Sequence, residues 1–202
     1  NELGFEVVIS EESTRNTYYK GQHTIPSDTV CYPAKLAHGH IESLLERDID
    51  FIFYPCMSYN VDEGISDNHY NCPVVAYYPE LLKANNIKLN DDNFIHPYLD
   101  LNRRKHVVDV MKSVLAKYNV KKKAVEDALD KAFEAMDKYM QDIITESERV
   151  IKTARSKGKK IIVLAGRPYH IDPEINHGIH QLVTSLGMAV VTEDSIAHLG
   201  KV

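Results

Sequence analysis

Three cysteines, Cys31, Cys56 and Cys72, are the residues of this 202-residue chain whose types and placement best suit chemistry. An odd count cannot be paired off wholly into disulfides within the chain. Cys31 stands two residues before Pro33, where a helix is expected to start. A thiol at a helix N-terminus meets the positive end of the dipole and free N–H groups, and both favour thiolate. Cys56 follows an apolar run, residues 50–54, after a single proline, at the carboxyl end of what reads as a strand. The intervening helix returns the chain, so a helix start and the carboxyl end of the next strand share one edge of a parallel sheet. Cys31 and Cys56 can therefore meet although they are 25 residues apart. Cys72 directly precedes a third strand candidate. It sits on the opposite edge if that strand is parallel, and joins the others if the strand is antiparallel or starts late. The plain alternative is that all three are packed small hydrophobes. Zinc is poorly supported, because no CxxC pair exists. Thiolates from separate loops suit an iron–sulfur cluster better, and three of them would leave one iron position open for water or substrate.

A second polar concentration runs through residues 166–178, Gly-Arg-Pro-Tyr-His-Ile-Asp-Pro-Glu-Ile-Asn-His-Gly. It joins a strand to a helix start, where anions are favoured. Arg167 could fork onto a carboxylate or phosphate. His170 and His177 could move protons near neutral pH. Tyr169 and Asn176 complete the candidate ligand set, with Glu193 and Asp194 at the carboxyl end of the next strand, on the same edge. The competing reading is local structure, with Asp172 as a helix cap and Arg167 paired to Glu193 or Asp194. The loop is neither GxGxxG nor a Walker loop, so a dinucleotide or P-loop site is unsupported. His38 and His40 lie on or beside a helix and read as surface or core residues rather than ligands.

The elements that must position these residues are legible in part. Residues 4–9 read as a short strand and residues 10–28 as a helix fragment plus loop. Residues 33–47 carry Leu36, Ala37, Ile41, Leu44 and Leu45 on one helical face. Residues 50–54 and 73–77 read as strands stopped by Pro55 and Pro79, so that strand, helix and strand form a parallel βαβ unit. Residues 103–117 are helical. Residues 121–155 form a longer helix whose apolar stripe is too wide for a bare coiled-coil seam, so it packs across a domain or links two. Residues 160–165 read as a buried strand. A helix then runs from the Asp172 cap and Pro173 to Leu186, with Gly187 closing it and residues 188–192 as the next strand. The fold class is α/β, with Rossmann-like parallel-sheet units joined by long helices. Its expected parts are a first α/β domain over 1–100 that carries the cysteines, a helical connection over 101–158, and the start of a second α/β unit over 159–202.

Composition narrows the function classes. Hydrophobic residues make up 44% and charged residues 26%, as in ordinary globular chains rather than disordered ones. No apolar run is long enough to span a membrane. The formal net charge of −5 argues against a general nucleic-acid face. No signal peptide is visible, so the expected setting is a reducing cytoplasm with free or metal-bound thiols. Neither end looks natural, and the chain reads as a piece of a longer polypeptide.

Five stretches carry a resemblance: Cys31-Tyr32-Pro33-Ala34-Lys35 with Gly39-His40; Phe53-Tyr54-Pro55-Cys56; Tyr70-Asn71-Cys72-Pro73-Val74; residues 164–178; and Thr192-Glu193-Asp194-Ser195. Together they resemble the large bacterial CoA-substrate-specific enzyme activases, which are similar to the 2-hydroxyacyl-CoA dehydratase system. The resemblance implies an ATPase module with a bridging 4Fe-4S cluster that delivers one electron to a dehydratase component. This chain resembles the dehydratase-like segment and lacks the ATPase's glycine-rich phosphate loops, so ATP would be bound by another part of the protein. Cys31 and Cys56, with Cys72, would then hold an iron–sulfur cluster. The Arg167-to-His177 loop would line a cleft between two α/β domains and orient a small anionic or CoA-type substrate. The alternative in another class is a metal-free docking domain for the ATPase module.

Overall fold

A computed structural model describes residues 2–62, 64 and 67–200. The chain divides into two compact units, one of Asn1–Glu11 with Arg15–Asp130, the other of Glu12–Thr14 with Lys131–Val202. The boundary falls inside a single long helix.

The first unit opens with α1 (Arg15–Gly21) and α2 (Tyr32–Leu45). Cys31 is extended (φ −62°, ψ 153°) and Pro33 lies in the first turn, where its missing N–H costs nothing. The buried face of α2 includes Ala34, Leu36, His38 and Ile41, close to the periodicity read from the sequence. The crossing of α1 over α2 has no room for side chains at two glycines. A Cβ on Gly39 would lie 1.7 Å from the Thr17 carbonyl oxygen, and one on Gly21 would lie 2.2 Å from the Gly39 nitrogen.

After α2 come β1 (Ile52–Phe53), α3 (Pro73–Asn85) and β2 (Phe94–Ile95). The two strands are parallel, with Ile52 opposite Phe94 and Phe53 opposite Ile95. Here the structure corrects the expected strand over 73–77, which is the start of α3. Cys72 is extended (ψ 156°) and Pro73 presets the first helical φ, so Val74 and Val75 enter a helix despite their β propensity. Burial of Ala76, Tyr78, Pro79 and Leu82 on that helix decides the outcome. The partner strand is instead β2, too short to show any alternation. The strand expected over 4–9 joins no ladder among the described residues, and Val7 and Ile9 are 62% and 79% exposed. Ala34, Ile41, Ile52, Tyr78, Leu82, Leu89 and Phe94 form the core between α2, α3 and the sheet. Each large member contributes roughly 1.5–3 kcal/mol by leaving water. The unit continues through α4 (Arg104–Val114) into the first turns of α5 (Lys122–Ser156).

The second unit holds the rest of α5, then β3 (Ile161–Leu164), α6 (Pro173–Asn176), α7 (Ile179–Ser185), β4 (Ala189–Thr192) and α8 (Glu193–Ile196). β3 and β4 are parallel, from Ile161 opposite Ala189 to Leu164 opposite Thr192. β3 is not the buried strand its composition suggests, because Ile162 and Val163 are 38% and 45% exposed. The helix expected from 172 to 186 is two helices. His177 (φ 53°) and Gly178 (φ 75°) are both left-handed and break it. The α5 stripe is half-buried at Leu129, Phe133, Met136, Met140 and Ile143, while Tyr139 is exposed. No helix among the described residues is long and apolar enough to cross a membrane.

Candidate functional site

The three cysteines all stand where backbone regularity changes. Cys31 and Cys72 are the residues before the first turns of α2 and α3, and each carbonyl accepts the first helical bond. Lys35 N donates to Cys31 O at 3.1 Å, and Ala76 N donates to Cys72 O at 2.9 Å. Cys56 prolongs the parallel pairing of β1 past Pro55. Its N–H donates to Pro97 O at 2.9 Å, and its carbonyl accepts from Leu99 N at 2.9 Å. Since α2 returns to the start of β1 and α3 leaves from its end, both helix starts lie on the carboxyl edge of β1. Cys72 thus joins Cys31 and Cys56 on that edge, because the segment after it is a returning helix and not a strand.

Hydrogen bonds tie the loops of Cys56 and Cys72 together. Asn71, next to Cys72, donates from Nδ2 to Met57 O at 2.9 Å. Its backbone N–H donates to Ser58 O at 3.0 Å. Pro79 supplies a further link. It lies inside α3 and has no N–H to offer Val75 O four residues back. That carbonyl accepts from Met57 N at 3.5 Å instead.

Tyrosines surround this edge. Burial, then the nearby Cys31 and Tyr54, pushes the Tyr78 hydroxyl up to about 12. Burial raises Tyr54, with Cys56 adding to the effect. Burial also pushes the Cys56 thiol up, and the Glu80 carboxylate reinforces the shift, while hydrogen bonding with Tyr98 opposes it. The Tyr98 hydroxyl donates to Glu80 Oε1 at 3.2 Å. Tyr59 donates to Tyr70 at 2.9 Å across a ring pair 4.5 Å apart.

Behind Cys31 lies a buried relay that the sequence did not disclose. Thr24 Oγ1 donates to Gly21 O at 2.9 Å, so it can only accept from His38 Nδ1, 2.7 Å away. His38 Nε2 then accepts from Tyr78 Oη at 2.9 Å. This fixes a neutral ring with its proton on Nδ1, and burial lowers its pKa to about 4. His38 is a core residue, as expected for a single helical histidine.

Cys31 is exposed, Cys72 half-buried and Cys56 fully buried. The donor set matches a cluster in ligand type and in its single edge. It does not match in spacing: among the described residues no three His, Cys, Asp or Glu side chains are grouped to hold a metal ion.

The second candidate cluster occupies the carboxyl edge of β3 and β4. Gly166 N donates to Glu193 Oε2 at 3.2 Å. Arg167 N donates to His170 Nδ1 at 3.0 Å, so that nitrogen carries no proton. The ring folds over Gly166, where a Cβ would lie 2.1 Å from Nδ1. The Tyr169 ring meets His170 edge-on, with centroids 4.8 Å apart. Asn176 is buried, donates to His170 O at 2.8 Å and accepts from His180 Nδ1 at 2.7 Å. Asp172 caps α6 by accepting from Glu174 N and Ile175 N, and it also accepts from Ser13 Oγ at 2.5 Å. Burial, then Glu193, raises the Asp194 carboxyl. His177 is the left-handed residue after α6. Arg167 is exposed and forms no ion pair with Glu193 or Asp194 among the described residues. Much of this motif is spent on holding its own loop, and the Arg167 guanidinium is left facing water.

Sequence reasoning missed Tyr78, Tyr98 and Glu80 as neighbours of the cysteines. The one signal was the excess of 12 Tyr over 5 Phe.

A family model described as the CoA enzyme activase uncharacterised domain matches residues 1–196. No curated protein and no solved structure matches the chain.

Proposed function

The chain belongs to the CoA enzyme activase uncharacterised-domain family, and from that premise we propose that it is the iron–sulfur-binding segment of a dehydratase- or activase-related protein. The observation that carries this reading is the placement of Cys31, Cys56 and Cys72 on the carboxyl edge of β1, with the Cys56 and Cys72 loops bonded to each other. Those three thiols would hold the cluster once their loops draw together, since among the described residues they are not grouped to grip a metal ion. When bound, it would supply low-potential one-electron chemistry, driven by ATP hydrolysis in an ATPase module elsewhere.

The chain's own residues would do the rest. Cys31 and Cys72 would present their sulfurs from the two helix starts they precede. Cys56 must lose a proton that burial and Glu80 now hold in place, and a turn of the Tyr98 hydroxyl from Glu80 to the sulfur would stabilise the resulting charge. Arg167 would offer its guanidinium to the carboxylate or phosphate of a small acyl-CoA-type or other anionic substrate.

Anaerobic reconstitution of the full chain tests this. The expected product is brown and oxygen-sensitive, with iron and sulfide in stoichiometric amounts. Cys31→Ala with Cys56→Ala should abolish iron retention, and stoichiometric iron in that double variant would overturn the ligand assignment. The burial of Cys56 favours a second reading, a metal-free domain that docks the ATPase module with its cysteines merely packed. That reading requires reconstituted wild type to hold no iron.

A further inference from the structure

Residues 103–123 contain eight Lys or Arg and a single Asp, in a chain whose net charge is −5. A third of the chain's 24 cations thus lie in the hairpin of α4 and the start of α5. Arg104 pairs with Asp130, and Lys122 Nζ lies 2.9 Å from Asp109 Oδ1, so the two helices run antiparallel here.

The placement of these charges is locally unfavourable. Arg103, Arg104 and Lys105 cluster at the N-terminus of α4, and Lys121, Lys122 and Lys123 at that of α5. Neither helix has an acid in its first turn, and α4 has no side-chain cap. Cations at the positive ends of two helix dipoles repel those ends, whereas an anion there is stabilised. Folds tolerate such conflicts chiefly at functional positions.

The surface is also concave. One cavity of about 300 Å³ is lined by Arg104, Lys105, Val108, Lys122, Lys123, Glu126 and Asp130. A second of about 500 Å³ is lined by Arg103, Arg104, Lys105, His106 and Asp109. They share Arg104 and Lys105. The lining holds five Lys or Arg against three carboxylates. Asp130, Asp109 and Asp127 are engaged by Arg104, Lys122 and Lys123, while Arg103 and Lys105 form no ion pair among the described residues.

We propose that this basic concavity binds a small molecule carrying two or more phosphate groups. The two cations without an ion pair, Arg103 and Lys105, match two negative charges. The uncapped N–H groups of α4 and the forked donor of Arg103 suit phosphate oxygens. Arg103 and Lys105 sit together at one helix start rather than along an extended basic stripe, which suits a small ligand better than a long polyanion. The proposal is independent of the cysteines.

Calorimetric titration of the full chain with inorganic tripolyphosphate, at fixed ionic strength, tests it. One-to-one saturable binding is expected, tighter than for inorganic phosphate. Lys105→Glu with Lys123→Glu should weaken it about tenfold. Lys152→Glu with Lys159→Glu makes the same change in net charge on exposed lysines elsewhere and should leave it unaltered. Should the first pair impair folding, Arg103→Ala alone is expected to weaken binding in the folded protein. Absence of saturable binding, equal loss in both double variants, or tighter binding of a single-stranded oligonucleotide than of tripolyphosphate would overturn the assignment.

Discussion

His38 is held between two hydroxyls, at 1% exposure, and its pKa of about 4 lies below the 6.5 of an exposed ring. The native state therefore binds fewer protons than the unfolded chain between these values. Stability from this residue is full above pH 6.5 and is lost as pH falls towards 4, by at most about 3 kcal/mol. Urea unfolding at pH 7 and pH 4.5 measures the loss. His38→Gln should unfold with a visibly shallower pH dependence over that window, and an unchanged dependence would refute the assignment. Glu42 makes a second prediction at this scale. Its carboxylate is 3% exposed and accepts from Asn86 Nδ2 at 2.7 Å and Lys88 Nζ at 2.5 Å. Lys88→Met leaves a buried charge without its cation. The expected cost is about 3 kcal/mol, lowered by the exposure of Lys88 and read from the urea midpoint. Neither network is legible in the sequence. Tyr78 lies 40 residues beyond His38, and Lys88 lies 46 beyond Glu42, and nothing local marks such pairs.

Two elements depend on residues that ordinary helix rules would disfavour. Gly39 sits in the middle of α2 because Thr17 O occupies the space a Cβ would need. Gly39→Ala would improve helix propensity by up to about 1 kcal/mol, yet overpacking should outweigh this, for a net loss of about 1–3 kcal/mol. A rise in thermal midpoint would show that α1 yields freely. Pro79 breaks the α3 ladder and leaves Val75 O to Met57 N. Pro79→Ala restores the helical competitor, so the Met57 amide should exchange its hydrogen faster; equal protection would contradict the link. At this scale α2, α4, α5 and the parallel pairing of β3 with β4 were readable, because the helical apolar period and the alternation of strand with helix are plain there. The segment 73–77 was not readable. Its β-branched residues argue for a strand, and only the placement of Pro73 and the burial of Tyr78 and Leu82 overrule them. The break at His177 was also hidden, since a left-handed histidine has no distinct sequence signature.

For the molecule as a whole, α/β alternation was legible, and the edge shared by Cys31 and Cys56 followed from it by topology alone. Cys72 joined them for a reason the sequence had concealed. The basic run over 103–123 carried no motif to single it out, and its two helix starts come together only when α4 and α5 pack antiparallel. In the second unit, the helix cap of Asp172 and the bond from Gly166 N to Glu193 account for part of the polarity of the 166–178 loop. The thiols of the first unit therefore carry the proposed function. The most direct measurement is the iron and sulfide content of the anaerobically reconstituted chain beside Cys31→Ser, Cys56→Ser and Cys72→Ser, made one at a time. Wild type should retain both elements in stoichiometric amount, and each variant should lose most of them. Iron retained in full by all three variants would contradict the shared edge as the place where metal is held.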